Sequence, residues 1–376
     1  MSYILPIILN PGCYSFKCGF AGSTTPKLII KTLLGKQASK AGQGSSTLKR
    51  SVFFGEEAEK SSSAYGLTIS RPYSSSGINW EDISSFYEHI ISKLEVTPEH
   101  PFAISVPFLH ADEFMKRSAE ILFEKLRVPN VLFQPESVMS LASIGATTGL
   151  VVIMGYRSTS ICPVFESYEM SHASRNISIG GHNVSNSLRS LMKEEDPTFS
   201  PSSVELELIK TMLGVCASSR ATPHEAKPPS IEYELPDGKV IRLNDSRWKC
   251  VESFFPEYDV PPSSVRNSRL FIGRKEYKTI PECILGSILS LDIPYQKELT
   301  SCICLCGGSS MFPGLDDRIH GDLSLISDHL PTRPKVIAKP ERDIASYMGI
   351  SIYASVTHCF SKMAVSRKEY EERGSL

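Results

Sequence analysis

One layout occurs twice in this chain and restricts its fold more than any other feature. Residues 3–9 are an apolar run that reads as a buried strand. Pro11-Gly12 then starts a turn, and a second strand through Tyr14 to Cys18 closes a hairpin. At Leu150-Val151-Val152 the same order begins again. An apolar strand runs into a turn at Ile153-Met154-Gly155-Tyr156-Arg157-Ser158-Thr159, and a returning strand ends near Phe165. Two strand–glycine turn–strand units predict an internally duplicated α/β fold.

The segments around these hairpins carry helix and strand signals. Trp80-Glu81-Asp82 leads into a helix through Leu94, and Pro101 to Val106 reads as a strand. Residues 111–126 place Phe114, Met115, Ala119, Leu122, Phe123 and Leu126 at helical spacing, which predicts one amphipathic helix. Ser202 or Ser203 can cap a helix through Ala217, with Val204, Leu208, Met212 and Cys216 on one stripe. Tyr233 to Val240 reads as a hairpin around Pro236-Asp237-Gly238. Ser301 to Cys306 is a buried strand that enters a glycine turn and then a helix from Pro313. Residues 37–50, rich in Ser, Gly, Lys and Ala, have little to bury and predict a mobile loop; residues 366–376 form a charged tail.

The chain of 376 residues has room for two domains or one large bilobal body. Forty basic residues against 41 acidic ones leave a net charge of -1, so no global field favours nucleic acid or an anionic membrane. The ten cysteines include no C-x-x-C pair, which argues against a zinc framework. No apolar run approaches the ~20 residues of a membrane span. The opening segment lacks a basic n-region and a small-residue cleavage site. The thiols are therefore expected to be reduced, in cytosol or nucleus, and the sequons at Asn176, Asn183 and Asn244 to go unused.

Short blocks in chain order resemble the actin family. They are Phe16-Lys17-Cys18-Gly19-Phe20-Ala21-Gly22, Asn79-Trp80-Glu81-Asp82, Ile121 to Glu124 with Val128-Pro129, Ser140-Leu141, and Thr147-Thr148-Gly149. Tyr233 to Gly238, Phe254-Phe255-Pro256, Cys306 to Gly314, Pro340-Glu341-Arg342 and Glu369 to Gly374 complete the series. The resemblance implies an α/β, actin-like duplicated ATPase-domain fold of the actin/Hsp70/sugar-kinase type. That fold has two lobes and four subdomains around a central cleft for Mg-ATP. A small lobe would take residues 1–142 plus 340–376, with a mobile loop subdomain at about 32–65, and a large lobe residues 143–339.

Set against that family, both phosphate turns have lost their acids. Asn10-Pro11-Gly12-Cys13-Tyr14 stands where the resemblance implies an aspartate and a serine between glycines. Lys17 is retained and could still reach a phosphate, or the hairpin is purely structural. In the second turn Ile153 and Tyr156 replace the two acids that would organise metal and attacking water, and Arg157 replaces a glycine. Ser160 and Glu136 stand at the histidine and glutamine positions near that water. Phosphoryl transfer depends on positioning and charge neutralisation, which these parts supply. Arg157 could instead pair with phosphate directly. The third region keeps Gly307-Gly308-Ser309-Ser310-Met311 where adenosine would lie, or these glycines permit strand-to-helix packing. Lys210 matches the lysine over the purine, while Thr211 and Asp343 replace a ribose-binding glutamate and a lysine. The positions that would hold a nucleotide are thus Gly12, Lys17, Gly155, Lys210, Gly307, Gly308, Ser309 and Met311. Cys302, Cys304 and Cys306 alternate on one strand and would share a face, as a soft metal site or as small apolar packing.

With these losses, the resemblance implies a member that is expected not to hydrolyse ATP and to act as a structural scaffold in a cytoskeletal assembly. No catalytic residue and no metal are assigned. ATP or ADP would be held, if at all, by a degenerate pocket. The expected partners are other proteins: actin, actin-related proteins or complex subunits. The expected location is the cytoplasm and cytoskeleton, with the nucleus also open. Leu33 to Gln37 and Phe53 to Ala58 resemble testis-type, sperm-head actin-like proteins. Gly155-Tyr156-Arg157 also resembles a dynein-adaptor member, which keeps a dynactin-like subunit open, and a chromatin-remodelling subunit is a separate alternative. So is an ATP-binding, filament-forming actin.

Overall fold

The duplicated hairpin is visible in the strand order of the computed structural model. It describes residues 4–37, 52–74, 77–97, 99–217, 228–235, 238–255, 279–328 and 330–374. The loop expected at 37–50 lies outside the described residues except for Gln37, as do Pro236 and Asp237 of the hairpin turn. Contacts divide the chain into two units, Met1–Ser143 with Ser346–Leu376, and Ile144–Ala345.

In the first unit the strand Ile7–Asn10 pairs antiparallel with Ser15–Phe20 on one side and parallel with Phe102–Val106 on the other. In the second unit Gly149–Met154 pairs antiparallel with Thr159–Phe165 and parallel with Ile303–Cys306. Each central strand is thus flanked by its hairpin partner and by a strand from later in the chain. Both are buried along their whole length, on both faces of their sheets, which explains why they read as apolar runs.

The first unit's sheet runs in the order Val365–Ser366, Asn130–Pro135, Phe102–Val106, Ile7–Asn10, Ser15–Phe20, Leu28–Lys31. The helix Trp80–Leu94 covers it. Asn79 caps this helix by accepting from the Asp82 amide, and Ile83, Phe86, Tyr87, Ile90 and Leu94 point inward. Phe86 stacks on Phe16 with ring centroids 5.1 Å apart. Each such side chain contributes about 1.5–3 kcal/mol on burial. A three-stranded sheet of Val52–Phe54, Leu34–Gln37 and Leu67–Ser70 packs against the helix Gly55–Tyr65.

The helix expected over 111–126 is two segments. An α-helix Ala111–Ala119 continues into a π-helical turn, Glu120–Lys125, in which the Leu126 amide donates to the Ile121 carbonyl at 3.0 Å. The charged tail contains a helix, Arg367–Arg373, with a capping box at Ser366 and Glu369.

In the second unit the expected helix from Ser202 ends at Leu213, short of Ala217. The expected stripe is also wrong. Val204 is 48% and Met212 63% exposed, while Leu206, Ile209, Lys210 and Leu213 are the buried face. Leu206 to Leu213 follows the i, i+3, i+4, i+7 pattern of a core-facing helix, and that stripe wins. The helix stops where Gly214 passes under Phe312, whose ring lies 2.7 Å from the point a Cβ would occupy.

Candidate functional site

In the first unit the candidate residues are the turn 11–14 and Lys17. Asn10, at the end of its strand, is buried, and its Nδ2 donates to Ser105 Oγ at 2.6 Å and Ser346 Oγ at 3.0 Å. Thr32 braces the turn twice, its Oγ1 donating to the Gly12 carbonyl at 2.6 Å and its amide to the Tyr14 carbonyl at 2.7 Å. The Arg71 guanidinium lies 5.7 Å from the centre of the Tyr14 ring. Tyr73 is buried beside this turn. Burial, with Cys13, Tyr87 and Glu136 adding negative neighbours, holds its hydroxyl well above the usual tyrosine range. Glu136 opens the helix Glu136–Ala142. Lys17 is half-buried in its strand, opposite Asn10 on one side and Ile29 on the other.

The second unit brings Gly155, Lys210 and Ser309 together. Ile153 sits in its sheet opposite Ser160 and Cys306 and is 9% exposed, so the position serves packing. The turn closes with the Gly155 amide donating to the Ser158 carbonyl at 2.9 Å. The Gly155 carbonyl accepts from the Gly181 amide at 3.0 Å and from Ser309 Oγ at 2.8 Å. The Tyr156 carbonyl accepts from the His182 amide at 2.8 Å and meets His182 Nδ1 at 3.0 Å. Amides that open the helix Gly181–Glu195, where an anion would otherwise be held, are thus spent on the turn. Ser160 donates to Asn176 Oδ1 at 2.9 Å.

Lys210 is 6% exposed. Its ammonium donates to Glu207 Oε2 at 2.5 Å, to Ser185 Oγ at 2.9 Å and, more weakly, towards the Gly181 carbonyl at 3.4 Å. It also lies 5.4 Å from the centre of the Tyr156 ring. Thr211 turns its hydroxyl back to the Glu207 and Leu208 carbonyls. Gly307 takes a left-handed φ of 89°, its amide donating to the Arg342 carbonyl at 2.9 Å. Gly308 opens on empty space and Met311 is exposed.

These donors do not fit a magnesium nucleotide. No carboxylate stands at residues 10, 153 or 156, and the lysine expected over a purine is already paired within its own unit. Among the described residues no group of three or more His, Cys, Asp or Glu could hold a metal ion. Cys304 and Cys306 are buried in the strand Ile303–Cys306, and Cys302 precedes it. Three residues the sequence reading missed complete the arrangement: Glu207, Ser185 and Gly181. Glu207 stands three residues before Lys210, the spacing of a helical ion pair, and that signal could have found it.

A sequence model of the Actin family matches residues 1–211 and 203–376 of the chain. Actin-like protein 7A of Rattus norvegicus is 30% identical over 379 residues, an alignment that covers 98% of this chain and 81% of that protein.

Proposed function

The chain belongs to the actin family, and from that premise we propose that it is a non-hydrolysing structural member, a scaffold that presents an actin-type surface to other proteins of a cytoskeletal assembly. The observation that carries this reading is the use made of the acid positions. Asn10 ties strands together, Ile153 packs in a sheet, and Tyr156 lies over a lysine. Metal-assisted phosphoryl transfer needs charge neutralisation and a positioned water, and these side chains supply neither. Arg157 is the residue that argues the other way, as a half-buried cation at the turn.

Purified protein is expected to show no ATP turnover. Turnover that disappears on Lys17→Ala substitution would overturn the reading. The protein is also expected not to form conventional filaments, and long double-stranded filaments in electron micrographs would contradict that. The reading places the protein in the cytoplasm with the cytoskeleton; among the described residues no helix is long and apolar enough to cross a membrane. Affinity purification from native tissue selects among a sperm-head cytoskeleton, a dynactin-like complex and a chromatin-remodelling complex by what co-purifies.

A further inference from the structure

A buried ammonium is costly unless its donors are paired, and Lys210 has been given its partners by its own unit. Glu207 supplies the counter-charge at 2.5 Å, and Ser185 bridges the two, 2.9 Å from the ammonium and donating to Glu207 Oε1 at 2.5 Å. The Tyr156 ring supplies an aromatic neighbour at 5.4 Å.

The ring is held in place from its own backbone, because the Tyr156 carbonyl is fixed by His182. Its seat is the bare α-carbon of Gly181. A Cβ there would come within 2.6 Å of Ser309 Oγ, 3.6 Å of Tyr156 Cδ2 and 3.7 Å of Lys210 Nζ. Three side chains from separate stretches of the unit therefore meet at this carbon, a flat ring, a cation and a hydroxyl, and the cation brings its carboxylate partner from the same helix. That set would suit a flat, hydrogen-bonding heterocycle, and the flat group present is residue 156.

We propose that Tyr156 is a tethered occupant of the Lys210 site, which with Glu207 closes that site to adenine nucleotides and frees this unit's fold from any need for a bound one. The proposal rests on the non-hydrolysing reading and deepens it. A ligand that binds the native state stabilises it in proportion to its concentration over its Kd. A ring tethered in the chain acts at a fixed and high effective concentration, so it outcompetes a free base without mass action.

The test compares the full-length wild type with Tyr156→Phe, Tyr156→Gly and Tyr156→Ala. Thermal unfolding is followed with and without ATP and magnesium, fluorescent ATP is titrated, and ATP turnover is measured in parallel. Wild type and Tyr156→Phe, which keeps the ring, are expected to show the same Tm with and without ATP. Tyr156→Gly is expected to melt lower without nucleotide and to regain part of the loss with it, binding ATP at least about tenfold more tightly than wild type. If Tyr156→Gly yields no folded protein, Tyr156→Ala decides the matter, since it removes the ring without adding the backbone freedom of glycine. Its Tm should then rise with ATP, and indifference to ATP overturns the proposal. A Tyr156→Gly protein that matches wild type in Tm and in ATP response also overturns it. Wild-type binding of ATP without turnover overturns the occupancy alone, whereas wild-type turnover overturns the non-hydrolysing reading itself.

Discussion

The guanidinium of Arg318 grips the carboxylate of Glu252 with two hydrogen bonds, Nη1 to Oε1 at 2.9 Å and Nη2 to Oε2 at 3.1 Å. Arg318 is 1% exposed and also donates from Nε to Asp322 at 3.0 Å and from Nη1 to the Ala217 carbonyl at 3.2 Å, with its plane over the Phe255 ring. One cation thus ties the helix Leu315–Ile326 to the segment around Phe254 and to the chain beyond Leu213. Removing one partner of a buried pair costs about 3–5 kcal/mol, because the other charge is left unpaired. Arg318→Ala should therefore destabilise the second unit by that amount, and Glu252→Gln by less. The chain's two tryptophans lie in different units, so in a Trp80→Phe background the fluorescence of Trp248 follows this unit in a denaturant titration. A loss for Arg318→Ala below about 1 kcal/mol would mean that the network is fully solvated.

The terminal helix Arg367–Arg373 is fastened by Tyr370, whose ring stacks on Phe123 at 4.8 Å and whose hydroxyl donates to Glu124 Oε1 at 2.9 Å. Burial, together with the negative charges of Glu124 and Glu120, pushes that hydroxyl up from 10.0 to about 12. A group whose folded pKa is raised contributes stability that is fully present below its unfolded pKa and lost as pH rises through the folded one. Amides of residues 365–374 should therefore lose protection between pH 10 and about 12 in hydrogen exchange, after correction for intrinsic rates. Tyr370→Phe should cost about 1 kcal/mol at neutral pH and abolish that local pH dependence. Persistence of the dependence in the variant would assign it elsewhere.

The legible part of this molecule is what local chemistry dictates. The two hairpins could be read because an apolar run and a glycine turn are local signals. The helix Trp80–Leu94 could be read because its cap, Asn79, directly precedes it and the Ile83–Phe86–Ile90 spacing lies within it. The π-helical turn at Glu120–Lys125 could not, since over six residues its wider period leaves the same apolar pattern as an α-helix. Val204 and Met212 misled because their i+4 spacing is as regular as the stripe that is buried. In the candidate site, the absence of acids at 10, 153 and 156 carried meaning only through the resemblance to the actin family, which implies carboxylates there. The pairing of Lys210 with Tyr156 was not legible, because it depends on Gly181 leaving room, and nothing local records that space.

Thiol reactivity should follow burial. Cys18, Cys216, Cys250, Cys283 and Cys304 are buried, and burial pushes each up to about 12. The thiolate is the nucleophile, so these five are expected to resist iodoacetamide in the native protein near pH 8. Cys13, Cys302 and Cys359 are half-exposed and should be alkylated first, Cys302 more slowly because burial raises it too. Mass spectrometry of peptides from a timed labelling reaction reads this order directly. Early modification of Cys304 would show that the strand Ile303–Cys306 opens, since that thiol has no other route to solvent.

Among the described glycines of the first unit, the closest approach lies between the helices Ala345–Ser355 and Glu136–Ala142. A Cβ on Gly349 would stand 1.7 Å from the Met139 carbonyl oxygen, far inside contact distance. That carbonyl cannot swing away cheaply, because it accepts the Ser143 amide at 3.1 Å as part of its own helix. The neighbour is rigid backbone, so accommodation requires the helices to part, and overpacking of this kind costs at least the 1–3 kcal/mol typical of an added methyl group in a core. Gly349→Ala is expected to lower the Tm of the first unit by several degrees or to give insoluble protein. Gly308→Ala is the control, since nothing lies within 4 Å of its added methyl, and it should melt with the wild type. Equal Tm values for the two variants would mean that the helices separate freely at Met139, and that their close approach does not hold the first unit together.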